Sequence, residues 1–349
     1  MAVTRHFFLL LLFADGCFAA SYLAQQSGGQ FQLLRARRRI ETVLGDPAIS
    51  EDTKRRLRVA QAAREFAVRT LGLRGGDEYS SFVDTHGDPI AWNLTAAPKD
   101  ELRAKTHTFP LVGAVPYLGY FRESDARKQA ANLQAQGFDT YLRAVAGYST
   151  LGYLSDPIYS SMLEGSDARV VEVMLHEMLH ATVYLSSHSE WNESLATLVG
   201  LEGAALFFSQ GRPSEVAELF AEARRQEEKQ AAFSDFLQPI LRELQALYAQ
   251  PISQDEKLRR REIVFARIKV DFLARFPTAK GSALVKDPIN NAVLVALSVY
   301  HRGTTEHRQR YEALHRDLRG FVALYKHAVE DMSEPLDYLA AYFVRTKMK

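Results

Sequence analysis

The sequence predicts an α+β protein in which helix predominates, and three features lead to this prediction. Long stretches of the second half carry apolar residues at helical spacing. Between about residues 80 and 121, short apolar pieces alternate with Gly and Pro, which is typical of strands and turns. Two long periodic stretches meet at Pro251 and predict a helical hairpin over about residues 213–276. The expected architecture is a pair of packed helices beside a small sheet, with the hairpin as an insertion or subdomain.

The composition is that of an ordinary globular protein of 349 residues, with 47% apolar and 24% charged residues. The formal net charge is only +1, so we expect no nucleic-acid partner. Two basic runs, Arg35–Arg39 and Arg259–Arg261, are interpreted as solvated helix faces. The alternative for the first run is a weak attraction to anionic lipids. We expect a single domain over residues 21–349.

The N-terminus has the layout of a secretory signal over residues 1–20, since a short basic region precedes an apolar stretch and small residues. The apolar stretch, Phe7 to Ala14, is too short to span a bilayer comfortably. The sole cysteine, Cys17, follows Gly16 in a segment that resembles a bacterial lipobox, which predicts lipidation. Cleavage near Ala19 or Ala20, or an uncleaved anchor, are the alternatives. We therefore expect an exported protein, periplasmic or in the cell envelope, held to a membrane by lipid at Cys17.

Each further element has a local signal in the sequence. A break at Gly45-Asp46-Pro47 separates two helices within residues 28–71, and Ser50 is positioned to cap the second. A helix over residues 124–136 leads through Gly137 to a strand over residues 140–146. The remaining helices are expected at residues 168–185, 189–210, 215–248, 254–276, 290–300 and 311–326.

The motif that carries chemistry is HExxH, which begins at His176. On a helix, His176 and His180 project from the same face, so both imidazoles can reach one metal ion. Ser166 or Asp167 can cap this helix, and neither Gly nor Pro interrupts its predicted length. The alternative is a pair of structural histidines without a metal, because so short a pattern also arises by chance.

Glu193 is the predicted third metal ligand. The connection to the next helix is short, so the two helices should pack as a hairpin, with Ser189 as cap and Glu193 in the first turn. Small residues share the face of Glu193 and let the backbones approach closely: Ala196, Gly200 and Ala204. The rival ligands are Glu190 and His188, which lie at the helix start and in the connection. A metzincin site is excluded, since residues 183 and 186 are Val and Ser.

Zinc is the metal that this donor set predicts. Catalytic zinc takes three protein ligands and keeps a fourth position for water or substrate. The pKa of the bound water falls to about 7, and a carboxylate base can then take its proton. Glu177 lies one position round from His176, close enough to touch that water without ligating the metal. The sequence therefore predicts zinc-dependent hydrolysis with Glu177 as the general base.

Two resemblances extend this interpretation. HExxH followed by Asn192-Glu193-Ser194-Leu195-Ala196 resembles the gluzincin peptidases, whose third ligand is a glutamate in an NExxA setting. This resemblance implies that the two motif helices form a zincin-like helix pair. Over nearly its whole length, the chain also resembles a bacterial family described as putative aminopeptidases. The further segments that carry this resemblance are Cys17, Tyr148 to Tyr153, Asp156-Pro157 and Asn290 to Ala292. Thr106 to Pro110 departs from that pattern because it lacks a cysteine. The resemblance implies a peptide or protein substrate. It leaves aminopeptidase and endopeptidase activity both open, because no GxMEN-like segment supplies an acidic anchor for a free amine.

Several supporting residues follow from the gluzincin resemblance. It implies a strand beside the metal, for which residues 139–148 are the candidate, along which a substrate backbone would pair. Tyr148, Tyr153 or Tyr300 would donate a hydrogen bond to the oxyanion. Asp156 or Thr197 would accept the second ring N–H of a ligating histidine. Each of these residues has an ordinary structural alternative, a packed tyrosine or a turn former.

Two other classes of function compete with the zinc peptidase. One is a zinc-containing envelope or scaffold protein without turnover, which a closed metal shell would favour. The other is a metal-free helical protein that interacts through the long hairpin, which a metal assay would distinguish.

Overall fold

The computed structural model describes residues 35–109, 113–145, 155–209, 213–299 and 304–347. Within these ranges helices predominate and the strands form small sheets of two or three, which confirms the predicted α+β class. Cys17 and the predicted signal segment lie outside the described residues. In the part of the chain that is described, no helix combines the length and apolar character needed to cross a bilayer.

Within the described ranges, eight short strands form three sheets. The first sheet has the order β1-β2-β8, with β1 Arg38–Arg39, β2 Ser81–Val83 and β8 Ile158–Tyr159. The second has the order β6-β3-β7, with β3 Ala91–Pro98, β6 Leu118–Tyr120 and β7 Phe138–Val145, all antiparallel. The third is a hairpin of β4 His107–Phe109 and β5 Gly113–Val115. β7 is therefore an edge strand, since β3 is the one described strand that pairs with it.

Helices form the rest of the described chain. The first six are α1 Ile40–Leu44, α2 Glu51–Phe66 (continued by a π-helical turn, Ala67–Leu71), α3 Glu123–Ala135, α4 Asp167–His180, α5 Ser189–Phe208 and α6 Pro213–Tyr248. The next six are α7 Gln254–Arg275, α8 Ala283–Lys286, α9 Asn291–Val299, α10 Thr304–Ala313, α11 Leu318–Asp331 and α12 Pro335–Lys347. The long predicted hairpin is confirmed as α6 and α7.

Two hydrophobic cores hold most of the buried helical residues that the structure describes, and a smaller cluster packs α3 on the sheet β6-β3-β7. The larger core contains the apolar side of α4, which packs with α2, α5 and α11. Leu175 and Met178 on this side are fully buried. The second packs the later half of α6 against α7 and α9 around Leu244 and Ile268. The motif helices therefore lie inside the largest apolar cluster of the molecule, where their positions are fixed by packing.

A buried ion pair joins the hairpin to the sheet. Arg261 of α7 donates to both carboxylate oxygens of Asp139 of β7, at 2.7 and 3.3 Å, and both side chains are at most 8% exposed. The same carboxylate accepts the backbone N–H of Asn291 at 3.1 Å, and Tyr248 donates to the Asn291 amide oxygen at 2.8 Å. Every group of this cluster thus has a partner, as a charge removed from water requires.

The prediction of one continuous helix over residues 311–326 is wrong. The structure has two helices there, because α10 ends at Ala313 and α11 begins at Leu318. Between them His315 and Arg316 adopt left-handed backbone angles, with φ of 54° and 61°, which a continuous helix does not allow. Asp317 then caps α11, since its side chain accepts the Gly320 N–H at 3.0 Å.

Two other local predictions were also wrong. Ser189 does not cap α5: the cap position is His188, whose backbone oxygen already accepts the Asn192 N–H at 3.0 Å, and no side chain caps the helix. Arg38 and Arg39 form a strand paired with Phe82 and Ser81 instead of the predicted helix, because pairing with a distant segment overrides local propensity. By contrast, Ser50 caps α2 as predicted, through the Thr53 N–H.

Candidate metal centre

The helix α4 places the two histidines of the motif. Ser166 accepts the Arg169 N–H at 3.2 Å and starts the helix, which runs without interruption to His180. His176 and His180 lie one turn apart at the border of the core, with side chains 23% and 7% exposed. The predicted helix extended to residue 185, but the chain turns directly after the second histidine.

Close packing of α5 on α4 brings the third group into reach. A Cβ atom at Gly200 would lie 2.8 Å from the Glu172 backbone oxygen and 3.3 Å from the His176 Cβ. Glycine is therefore required where the two backbones approach, one turn before His176 on α4. This confirms the expectation that small residues on this face of α5 allow the approach.

Asn192 fixes the connection between the two helices. Its side-chain amide oxygen accepts the Leu185 N–H and its amide nitrogen donates to the Leu185 oxygen, both at 2.8 Å. The side chain is 2% exposed, so both bonds are protected from water. These two hydrogen bonds tie the start of α5 to the connection before it. They thereby fix the position of the next residue, Glu193.

Three donor atoms converge at this point of the structure. The Nε2 atoms of His176 and His180 are 3.2 Å apart, and the Glu193 carboxylate oxygens lie 3.5 and 3.6 Å from them. An ion held tetrahedrally at about 2.0–2.1 Å separates two of its ligands by about 3.3–3.4 Å. Among the described residues, these three are the group of His, Cys, Asp and Glu side chains that could hold a metal ion. Their spacing fits a tetrahedral metal ion, and Glu193, at 52% exposure, borders solvent.

The charges in the site match what metal ligands need. Burial, with the charge of His176, lowers the pKa of His180 to about 4. Partial burial would raise the pKa of Glu193, but the hydrogen bond from His176, the neighbouring histidines and Arg143 lower it to about 2. Burial would lower the pKa of His176, yet Glu193 and the surrounding carboxylates raise it. Two of the three candidate ligands, His180 and Glu193, are thus in the deprotonated form that metals bind at neutral pH.

Glu177 lies beside the three donors without belonging to them. Burial raises the pKa of its carboxyl, and the negative charges of Glu193 and Asp156 raise it further, while His176 opposes this effect. A carboxylate with a raised pKa is a stronger base, so the setting suits proton transfer near neutral pH.

Sequence reasoning missed two residues that contribute to the site. Arg143 on β7, opposite Asn93, is a cation near enough to lower the pKa of Glu193. His307 on α10 supports the start of α5: its Nε2 lies 3.3 Å from the Trp191 backbone oxygen and its Nδ1 2.9 Å from the Tyr325 hydroxyl. The period-two alternation of a strand could have placed Arg143 on one face of β7. The sequence carries no signal for the contact between His307 and Trp191, which are 116 residues apart.

His307 gives the fold a pH dependence. Burial, with the charge of Arg310, lowers its pKa from 6.5 to about 4, so the unfolded chain binds this proton more readily than the folded one. The free energy of unfolding should therefore fall by about 3 kcal/mol as the pH drops from about 6.5 to 4. Denaturant titrations of the wild type and of His307→Gln, which keeps an N–H donor but does not titrate, check this. The expectation fails if the variant loses stability with acid as steeply as the wild type.

The structure does not test every predicted site residue. Tyr148, Tyr153 and Tyr300 lie outside the described residues. The Thr197 hydroxyl donates to the Glu193 backbone oxygen at 2.9 Å and does not accept a histidine N–H. His180 Nδ1 has no hydrogen-bond partner among the described residues. Thr197 therefore does not have the predicted role of outer acceptor for a ligating histidine, and that role stays a prediction for Asp156.

The rival ligands are not part of the group either. The ring of His188 lies 2.7 Å from the Ser186 backbone oxygen, and Glu190 lines a neighbouring cleft. The donor set stays that of His176, His180 and Glu193.

Comparison with known proteins supplies the family. A family model described as putative aminopeptidase matches residues 21–334, which is most of the chain. No curated protein and no solved structure gave a match. The match confirms the family resemblance inferred from the motifs, and the family's description supports peptidase activity. The chain belongs to the putative aminopeptidase family.

Proposed function

We propose that the protein is a zinc-dependent peptidase of the gluzincin type. The observation that carries this proposal is the convergence of the His176 and His180 Nε2 atoms with the Glu193 carboxylate, 3.2 to 3.6 Å apart. Two imidazoles and one carboxylate are a common donor set for catalytic zinc. The family match supports a peptide as the substrate.

The residues around the donors fit hydrolysis of a peptide bond. When bound, zinc polarises the scissile carbonyl and lowers the pKa of a coordinated water to about 7. Glu177 takes a proton from the attacking water, and its raised pKa makes it a competent base. It then returns that proton to the nitrogen of the leaving amine as the C–N bond breaks.

The edge strand β7 offers a place for the substrate backbone. It pairs with β3 along one side, and no described strand occupies its other side. An extended peptide can add to such an edge through main-chain hydrogen bonds. The positive charge of Arg143 on this strand lowers the pKa of Glu193, so the strand passes near the candidate ligands.

A non-catalytic zinc protein would need a closed metal shell. The described residues supply a group of three ligands, and the third is half exposed. Structural zinc sites use four protein ligands, so three ligands beside solvent favour the peptidase.

Metal content tests the proposal. We expect about one zinc per chain by elemental analysis of the purified protein, and loss of this zinc in His176→Ala and Glu193→Ala, because each removes one of three ligands. His188→Ala is the matched control, since it removes a nearby histidine outside the group. A folded wild type that takes up no zinc after zinc is added back would contradict the proposal.

A further inference from the structure

The start of α5 carries Glu193 and has no side-chain cap. The residue at the cap position, His188, forms no side-chain hydrogen bond with the helix. Helix ends without capping bonds tend to fray, because their first N–H groups have no partner within the helix. Glu193 follows the first helical residue, Ser189, by only four positions. A metal ligand at such a place needs contacts from elsewhere in the fold to hold it in position.

Trp191, two residues before Glu193, is held by residues of α10 and α11. Its backbone oxygen lies 3.3 Å from Nε2 of His307, which is 1% exposed. Its indole ring stacks on the ring of Tyr325, with centroids 5.6 Å apart, and meets the ring of His307 edge-on at 5.3 Å. Both the backbone and the side chain of Trp191 are thus in contact with the same pair of distant residues.

The hydrogen bonds around His307 run in one direction. The Trp191 oxygen can only accept, so His307 Nε2 carries the proton of that bond. Burial, with the charge of Arg310, lowers the pKa of His307 to about 4, so the ring is neutral at pH 7 and its Nδ1 is an acceptor. The Tyr325 hydroxyl, 2.9 Å away, therefore donates to Nδ1. The same hydroxyl oxygen accepts from Arg310 Nη1 at 3.5 Å, so one tautomer of the histidine satisfies the whole chain of bonds.

The residues at the other end of this chain of bonds are fixed by the larger hydrophobic core. Tyr325 is fully buried and packs on Phe321, with ring centroids 4.4 Å apart. Arg310 forms an ion pair with Glu306, one turn earlier on α10, and lies over the ring of Phe343 of α12 at 5.6 Å. Close-packed side chains of this kind have little freedom to move. The hydrogen bonds therefore connect the start of α5 to a rigid part of the fold.

We propose that His307 is a positioning residue for the metal centre, because it holds the start of α5 where Glu193 reaches the ion. This inference rests on the proposed function, since it takes Glu193 as a metal ligand. The Cα atoms of a helix lie about 2.3 Å from its axis and a glutamate carboxylate lies farther out, so a rotation of the turn by about 20° would move the carboxylate by roughly 2 Å. A metal tolerates deviations of only about 0.2 Å in its ligand distances.

Zinc affinity, measured by competition with a chromophoric chelator, tests the role of His307. His307→Ala should weaken zinc binding by about tenfold, the lower end of the loss found when groups that orient a ligand are removed. His307→Gln should restore most of the affinity, because its amide offers both a donor and an acceptor. Tyr325→Phe should give a smaller loss. Since it removes a single oxygen atom, it also serves if His307→Ala does not fold.

The visible absorption of bound Co²⁺ provides a second measurement, because its bands depend on the geometry of the ligands. The spectrum should change in His307→Ala and return in His307→Gln. Ile268→Ala is the matched control for a general loss of stability. Ile268 is fully buried in the second core, which contains no described residue of α5. Its variant should keep the zinc affinity and the cobalt spectrum of the wild type.

The outcomes separate this inference from the proposed function. A folded His307→Ala with wild-type zinc affinity and an unchanged cobalt spectrum would overturn the positioning role, while the zinc of the wild type would leave the metal centre standing. An equal loss of affinity in Ile268→Ala would also overturn it, since the loss would then follow from lower stability. If the wild type binds no zinc, the proposed function fails and this inference fails with it.

Discussion

Replacing Glu177 with glutamine should leave the metal bound and lower turnover by about a hundred- to ten-thousandfold. Glutamine has the same shape as glutamate but cannot accept the proton of the attacking water. The three metal donors are untouched, so zinc content should stay at the wild-type level. Elemental analysis and steady-state kinetics on the best substrate of a peptide library measure both quantities on one preparation.

The matched control for this experiment is Glu172→Gln. Glu172 lies on the same helix, one turn before His176, and is ion-paired with Arg169 at 2.7 Å. It takes no proton in the proposed reaction, so its variant should retain most of the turnover. Turnover retained in Glu177→Gln would remove the role assigned to this residue, and another base would have to be sought.

The second large effect concerns the ion pair between the sheet and the hairpin. Asp139→Ala should lower the free energy of unfolding by about 3–5 kcal/mol, because it leaves the buried Arg261 guanidinium without its buried counter-charge. The other carboxylate that contacts Arg261, that of Glu262, is 62% exposed. The Asn291 backbone N–H loses its acceptor in the same substitution. Urea denaturation followed by circular dichroism measures the change.

An exposed pair in the same hairpin provides the comparison. Arg267 and Glu243 also join α7 to α6, but their side chains are 49% and 44% exposed. Glu243→Ala should cost at most about 1 kcal/mol, since water replaces the lost partner. Similar losses in both variants would mean that burial does not govern the contribution of the Asp139 pair.

The parts of the site that the sequence predicts are those built on local spacing. His176 and His180 share a face because they are four residues apart on one helix, whatever the rest of the fold does. Glu193 could be located as well, because a connection this short leaves two helices few ways to pack. The class of the fold followed from the same kind of periodicity, which α6 and α7 display over their whole length.

The contacts that could not be predicted join residues far apart in the chain. Arg261 meets Asp139 across 122 positions, and neither residue carries a local sign that it has a partner. The error over residues 311–326 has the opposite origin, since two left-handed residues interrupt a stretch whose apolar spacing continues. Apolar periodicity indicates which face of a helix is buried. It does not detect a break in the backbone when the apolar residues on both sides of the break keep the same spacing.

The bonds between Asn192 and Leu185 bear on how mutational scans of this protein should be interpreted. A scan that scores each position by retained zinc would rank Asn192 with the ligands, although its side chain is occupied entirely by a backbone segment. Aspartate there would lose the donor to the Leu185 oxygen and would seldom be tolerated. In the proposed site, the asparagine of the Asn-Glu pair therefore meets a requirement of loop closure, and the glutamate meets one of metal coordination.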